Sequence, residues 1–267
     1  MTEERPQPLQ LAVTELGAGP PLVVLHGLLG RSRNWLSVGR SLAERFSVCL
    51  ADQRNHGASP WSPVMGYPAL AADAAALIEA RGGSAVLLGH SMGGKAALTL
   101  ALTRPELVSR LILVDIAPVT YGDHNATYIR AMQAVDLTRV EKRADADAAL
   151  REVVPDPGMR GFLLQNLEPA EGGGFAWQPN LDVLLASMPA LTSFPAELLE
   201  RQWNGPAFAL RGERSDYVGP DGEAALRRVL PRVEIVTVPD AGHWPHAERP
   251  AEFLRLLEPC LGAATPA

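Results

Sequence analysis

The chain has 267 residues and a hydrophobic fraction of 47%, which is enough for one α/β domain with an insertion and a sizeable core. Its formal net charge of −6 argues against nucleic-acid binding, because phosphate recognition needs a basic face. No apolar run reaches the roughly 20 residues that span a bilayer, and the N-terminus lacks the apolar core of a signal peptide, so we expect a cytoplasmic protein without an integral membrane segment.

Short apolar runs separated by helical stretches predict an α/β fold with a mostly parallel sheet flanked by helices. The runs are continuous, which is typical of parallel strands buried on both faces. The predicted strands are Leu22–Leu25, Val48–Ala51, Val86–Leu88, Leu111–Val114, Ala207–Leu210 and Val233–Val238. The predicted helices around them are Tyr67–Ala80, Met92–Arg104, Gly222–Val229 and Pro250–Leu257.

The alternation of strands and helices stops between Val114 and Ala207. Helical patterns continue there at Asn125–Val135 and Ala144–Val153. An independent second domain is one interpretation, but the strand pattern resumes afterwards. We therefore predict a core of residues 1–118 and 205–267, with residues 119–204 inserted between two core strands as a helical cap.

The strongest chemical motif is Gly89-His90-Ser91-Met92-Gly93, which fits the nucleophile-elbow pattern G-x-S-x-G. A predicted strand precedes it and a predicted helix follows it. The tight turn between them would expose the serine hydroxyl at the edge of the sheet, and the glycines leave room for that turn. A helix N-cap serine is the alternative interpretation, but the context favours Ser91 as a nucleophile.

A serine nucleophile needs a base, and His243 lies in a loop after the last predicted strand. Loops at the carboxyl ends of parallel strands carry ligand-facing residues. His246 is the rival candidate, but it stands closer to the final helix. His90 is expected to point away from the nucleophile and to serve packing.

Acyl transfer also needs hydrogen-bond donors for the oxyanion. The backbone N–H that follows the nucleophile, that of Met92, is one candidate. The loop His26–Gly30 follows an apolar strand and contains glycine, which favours the Leu28 N–H as the second donor.

A carboxylate should orient the histidine. Asp115 follows the strand Leu111–Val114, and Asp216 follows the strand Ala207–Leu210 next to Ser215. Both aspartates lie at the carboxyl ends of strands, so the pattern alone leaves the acid open.

Several segments together resemble the YbfF-type esterases and the related abhydrolase-domain-eleven proteins. They are Asp52–Ser59, Gly89–Lys95, Val114–Pro118, Phe162–Leu167, Trp177–Leu181 and Ser215–Val218. The resemblance implies an α/β-hydrolase fold with a helical cap after its sixth strand, and esterase or acyl-thioesterase activity. It also implies that Asp115 is the acid and that Ser215 takes the usual acid position in a supporting role.

The remaining expectations concern ligands. Trp61, Trp177 and Trp244 are candidates to line an acyl pocket, while Asp52, Arg54, His56 and Lys95 are expected to be structural. We expect no metal and no organic cofactor, because no ligand cluster or phosphate-binding loop is visible. The expected partner is a small acyl ester or thioester, and the oligomeric state stays open. The alternatives are a C–C bond hydrolase, perhydrolase or lactonase of the same fold, and a non-catalytic ligand receptor.

Overall fold

A computed structural model of the protein describes residues 6–262. Nine strands are present in this part of the chain: β1 (Val13–Leu16), β2 (Pro21–Leu25), β3 (Ser47–Ala51), β4 (Ala85–His90), β5 (Val108–Val114), β6 (Leu167–Pro169), β7 (Phe175–Trp177), β8 (Ala207–Gly212) and β9 (Val233–Val238). Seven of them form one sheet in the order β1-β3-β2-β4-β5-β8-β9, and β6 pairs with β7 separately. All neighbours in the large sheet are parallel except β1 and β3.

The α-helices of the described chain are α1 (Leu36–Leu42), α2 (Tyr67–Glu79), α3 (Met92–Thr103), α4 (His124–Ala134), α5 (Arg143–Leu150), α6 (Pro157–Leu164), α7 (Leu181–Ala186), α8 (Met188–Thr192), α9 (Pro220–Val229), α10 (Pro245–Glu248) and α11 (Pro250–Leu261). All six predicted strands and the four predicted helices of the core are confirmed, with ends that differ by a few residues. The prediction missed β1, whose four residues alternate between exposed and half-buried at the edge of the sheet. No helix within residues 6–262 combines the length and the apolar character needed to traverse a bilayer.

Helices cover both faces of the sheet because successive strand residues point to opposite sides. In β2, Val23 and Leu25 pack into one core cluster with α2 and α3. Leu22 and Val24 pack into the other cluster with α1 and α11. Burial on both faces explains why the central strands appear in the sequence as unbroken apolar runs.

The inserted segment between β5 and β8 holds α4–α8 and the β6–β7 hairpin. The segment follows β5, whereas we expected it after the sixth strand of the sheet. The number is one lower because only one strand, β1, precedes β2 in the described residues. Its helices join the core cluster on the α2–α3 face of the sheet. The division into a core and a cap at 118/119 and 204/205 stays a prediction, and residues 1–5 and 263–267 of the predicted core lie outside the described residues.

Candidate active site

The site lies where the strand order of the sheet changes direction. The strand β2 pairs with β3 on one side and with β4 on the other, so the carboxyl ends of β2 and β4 are adjacent. The loop after β2 carries Leu28, and Ser91 directly follows β4. Open parallel sheets bind their ligands at such switch points.

Ser91 occupies a strained turn between β4 and α3. Its φ of 51° and ψ of −119° lie in a region that L-residues rarely adopt. A Cβ at Gly89 would lie 2.2 Å from the Gly93 carbonyl oxygen, and one at Gly93 would lie 2.4 Å from that of Leu25. Both positions therefore require glycine, and the turn has the form that the elbow motif predicts.

His243 is hydrogen-bonded to Asp115, with 2.7 Å between Nδ1 of the ring and Oδ2 of the carboxylate. The Asp115 side chain is fully buried, and it also accepts bonds from the Ser215 hydroxyl and from the Gly212 N–H. Because the carboxylate is an acceptor, the neutral ring carries its proton on Nδ1. Nε2 of His243 is left as the atom that can take a proton.

The structure thus brings Asp115 to the histidine and turns Asp216 away from it. The Asp216 side chain is exposed to solvent. Its neighbour Ser215 contacts the Asp115 carboxylate, so the segment after β8 contributes a hydroxyl to this cluster rather than an acid.

Two further residues hold the histidine, and the sequence analysis identified neither. The ring of Tyr217 stacks on that of His243 with 3.7 Å between their centroids. His90 Nε2 donates to the His243 carbonyl oxygen over 2.8 Å, so His90 does not point away from the site as expected. Burial, followed by the nearby charges of His243 and His246, places the pKa of His90 well below its ordinary value, which keeps this donor ring neutral.

Ser91 and His243 line one cavity of about 40 Å³, together with Leu28, Phe162 and Trp244. Among residues 6–262, no hydrogen bond joins the Ser91 hydroxyl to the His243 ring in this structure. Such bonds are often long in ligand-free enzymes and tighten when substrate binds. The shared cavity and the free Nε2 are the geometric basis for pairing these two side chains.

His26 and His56 stabilise the loop that carries Leu28 through hydrogen bonds to the backbone. Nε2 of His56 accepts the Leu29 N–H over 3.1 Å, while Nε2 of His26 accepts the Gln53 N–H over 3.0 Å. Burial lowers the pKa of His56 to about 3 and also lowers that of His26, so both rings stay neutral acceptors. Leu29 itself has a φ of 58°. The bonds fix the backbone next to Leu28, which lines the same cavity as Ser91.

The profile of a protein family described as "alpha/beta hydrolase fold" matches residues 20–250. The sn-1-specific diacylglycerol lipase ABHD11 of Mus musculus is 41% identical over 260 residues, covering 94% of this chain and 84% of that protein. Esterase YbfF of Escherichia coli is 34% identical over 242 residues, covering 89% and 91%. The solved structure of a marine microorganism esterase aligns with a TM-score of 0.91 and 33% identity over 95% of this chain and all of that one.

The chain belongs to the α/β-hydrolase family. Within that family it falls in the group of YbfF and ABHD11, which the sequence motifs predicted. Ser91, Asp115 and His243 directly follow or lie in the loops after strands β4, β5 and β9 of this α/β hydrolase, and all three loops meet at the carboxyl edge of the sheet.

The motif Asp52–Ser59 of this α/β hydrolase supports the loop next to the elbow, as expected. The Asp52 carboxylate accepts the backbone N–H groups of Ser32 and Ala58 over 2.6 and 2.9 Å. Arg54 forms a buried ion pair with Asp73 at 2.7 Å. These contacts keep the motif rigid without placing its charges at Ser91.

Only one of the three candidate tryptophans reaches the site of this α/β hydrolase. Trp244 lines the cavity, whereas Trp61 is 60% exposed. The indole N–H groups of Trp61 and Trp177 donate to carbonyls of the inserted segment, those of Gln178 and Met132. The expectation that Trp61 and Trp177 line an acyl pocket is therefore corrected: the Trp61 bond joins the loop after β3 to the inserted segment, and the Trp177 bond lies within that segment. Within residues 6–262, no group of three or more His, Cys, Asp or Glu side chains is arranged to hold a metal ion.

Proposed function

We propose that this α/β hydrolase is a serine hydrolase that cleaves carboxylic esters or acyl thioesters through an acyl-enzyme on Ser91. The observation that carries the proposal is the 2.7 Å hydrogen bond between Asp115 and His243, in a cavity that also contains Ser91 on a strained turn. The relatives named diacylglycerol lipase and esterase support ester hydrolysis as the reaction class.

Acylation begins when Nε2 of His243 takes the proton of the Ser91 hydroxyl as its oxygen attacks the acyl carbonyl carbon. Asp115 stabilises the imidazolium that forms and holds its orientation. The carbonyl oxygen becomes an oxyanion, which the N–H groups of Leu28 and Met92 stabilise. Met92 suits this role because it is the first residue of α3, where the backbone N–H has no intrahelical partner.

The tetrahedral intermediate collapses when the bond to the leaving alcohol or thiol breaks and His243 gives its proton to the departing oxygen or sulfur. Water then attacks the acyl-Ser91 ester, with His243 as base again, and releases a carboxylic acid and the free serine. The protein's own residues supply every proton transfer in this cycle. We assign Trp244, in the cavity wall, to contact with the substrate.

Hydrolysis of p-nitrophenyl butyrate, with labelling by a fluorophosphonate probe, tests the proposal. The variant Ser91→Ala should lose at least about 10⁴-fold in kcat and should not label. Ser37→Ala, on the exposed face of α1, serves as the matched control and should retain both activities. Full activity of Ser91→Ala would end the proposal, and a wild type that neither labels nor turns over esters would favour a ligand receptor.

A further inference from the structure

Two cavities meet at Ser91. The outer cavity is the one described above, which contains His243. The inner cavity lies on the other side of the serine, between α3 and the inserted segment, and His243 does not line it. Leu28, Ser91 and Asn125 belong to both. Further inner-cavity residues are Met92, Lys95, Ile116, Tyr121, Met188 and Leu191.

The position of His243 assigns the two halves of a substrate to the two cavities, if the proposed function holds. The leaving oxygen or sulfur must lie near His243 to receive its proton, so the leaving group occupies the outer cavity. The acyl chain is bonded to the same carbonyl carbon and extends to the opposite side. That side is the inner cavity.

The one cationic side chain of the inner cavity is fully engaged with the protein. Lys95 is buried, and its amine donates to the carbonyl oxygens of Val119, Thr192 and Ser193 over 2.7, 2.9 and 2.8 Å. Burial lowers the pKa of Lys95 to about 7. Since an ammonium group has three donors, none is left to bind a negatively charged acyl group.

Two of the three tyrosine hydroxyls that border the inner cavity, those of Tyr67 and Tyr121, are also engaged. Tyr67 donates to the Leu191 carbonyl over 2.5 Å, and Tyr121 donates to that of Tyr217 over 2.8 Å. Beside Ser91 and the uncharged polar groups of Asn125 and Tyr217, a ligand meets mainly ring faces and aliphatic carbons. These walls suit an uncharged alkyl chain.

The inner cavity is small. Its volume is about 30 Å³. A cavity needs about 10–15 Å³ to hold one water molecule, so the space admits only two or three water-sized groups. The Lys95 bonds tie α3 to Val119 at the start of the inserted segment and to Thr192 and Ser193 near its end, which restrains this wall. The outer cavity instead continues past Phe162 and Trp244 into an open cleft of about 1080 Å³.

We propose that the inner cavity is the acyl site and that it selects short, uncharged acyl groups of about two to four carbons, while the outer cavity accepts leaving groups of widely varying size. Met188 and Leu191 set the length limit, because both are buried side chains of α8 in the cavity wall. They are specificity-determining residues that do not touch the reacting atoms.

The test is the ratio of kcat/KM for p-nitrophenyl octanoate to that for the butyrate. In the wild type we expect this ratio to be below about one tenth, and Leu191→Ala should raise it at least about tenfold by removing part of the end wall. Met188→Ala provides a second variant at the same wall, should Leu191→Ala fail to fold. Phe162→Ala, in the outer cavity, is the control whose acyl-length ratio should stay that of the wild type.

A hemisuccinate ester tests the charge argument separately. It matches the butyrate in chain length but carries a carboxylate, and we expect its kcat/KM to be at least about tenfold lower. Preference for the hemisuccinate would overturn the assignment of Lys95 as a fully engaged donor. An octanoate ratio near one that Leu191→Ala leaves unchanged would overturn the acyl-site assignment while leaving the serine hydrolase intact. The absence of turnover with every ester would overturn the proposed function itself, and the acyl-site proposal with it.

Discussion

Asp115 and His243 form a hydrogen bond of 2.7 Å although they follow β5 and β9, two strands that are separated in the sheet by β8. The end of β8 makes this reach possible, because Gly212 donates its N–H to the same carboxylate over 3.0 Å. A Cβ at Gly212 would lie 2.1 Å from the Gly242 carbonyl oxygen, so glycine is needed where the histidine loop crosses the strand end. The pair therefore depends on three loops of the sheet edge being packed together.

Asp115→Asn should lower kcat for ester hydrolysis by about 10³–10⁴-fold with little change in KM, because an amide cannot hold the imidazole in its Nδ1–H tautomer or stabilise the imidazolium. Asp216→Asn changes the same residue type on an exposed side chain and should remain within about twofold of the wild type. Steady-state kinetics on one ester measures both. A larger loss for Asp216→Asn would overturn the choice of acid.

Gly212→Ala should reduce kcat by at least about tenfold, because the added methyl group forces the Gly242 backbone, and with it His243, out of position. Gly219→Ala is a matched control, since nothing lies within 4 Å of a Cβ there and the residue does not have a positive φ. Urea unfolding of both variants shows whether the fold persists. Wild-type kcat in Gly212→Ala would contradict the close packing of these two loops.

His56→Leu should weaken oxyanion stabilisation, because Leu29 loses the acceptor for its buried N–H. The unmatched group should lower the free energy of unfolding by about 1–3 kcal/mol, and kcat should fall while KM changes little. The exposed His124 at the start of α4 gives the control substitution, His124→Leu. The prediction would be wrong if His56→Leu lost stability but kept the wild-type kcat.

Stability should fall steeply as the pH drops below about 6.5, the pKa of an unfolded histidine. Burial lowers the pKa values of His26, His56, His90 and His246 in the folded state, to about 3 for His56 and His246. Below about pH 6.5 the unfolded chain therefore binds more protons than the folded chain. The stability is fully present above about pH 6.5, and it decreases as the pH falls toward the folded-state pKa values of these histidines. Each histidine contributes about 1.4 kcal/mol per pH unit in that window.

His246→Phe isolates one of these contributions. The His246 ring stacks on Trp35 with 4.0 Å between the centroids, and phenylalanine can keep that stacking. Urea unfolding at about pH 7 and about pH 5 should give an average slope for this variant that is shallower by about 1 kcal/mol per pH unit, because pH 7 lies above the pKa of the unfolded histidine. Equal slopes for the variant and the wild type would show that His246 is not held neutral.

The sheet was predictable from the sequence because its parallel strands are buried on both faces and leave continuous apolar runs. The edge strand β1 was not, since two of its four residues, Thr14 and Glu15, are polar and its outer face meets solvent. Ser91, His243 and the glycine-bearing loop after β2 could be singled out as candidates because their motifs are local and lie next to strand ends.

The parts of the site that depend on packing between distant segments could not be predicted from local pattern. Asp115 and Asp216 both follow strands at the same edge, and only the path of the loop after β8 turns Asp216 into solvent. Residue type made Trp61 and Trp177 candidates for a pocket, but their indole N–H groups donate to carbonyls of the inserted segment. The inserted segment contributes six of the thirteen residues that line the inner cavity, and its helices carry no sequence motif that indicates such a cavity.

Trapping the acyl-enzyme tests the central claim most directly. The purified protein is mixed with excess p-nitrophenyl butyrate, quenched in acid within the first turnovers, digested and examined by mass spectrometry. The account predicts a butyryl group on the peptide that carries Ser91, formed together with a burst of p-nitrophenol, and none in Ser91→Ala. Steady hydrolysis with the butyryl group on another residue, or with no acylated peptide at any quench time, would contradict it.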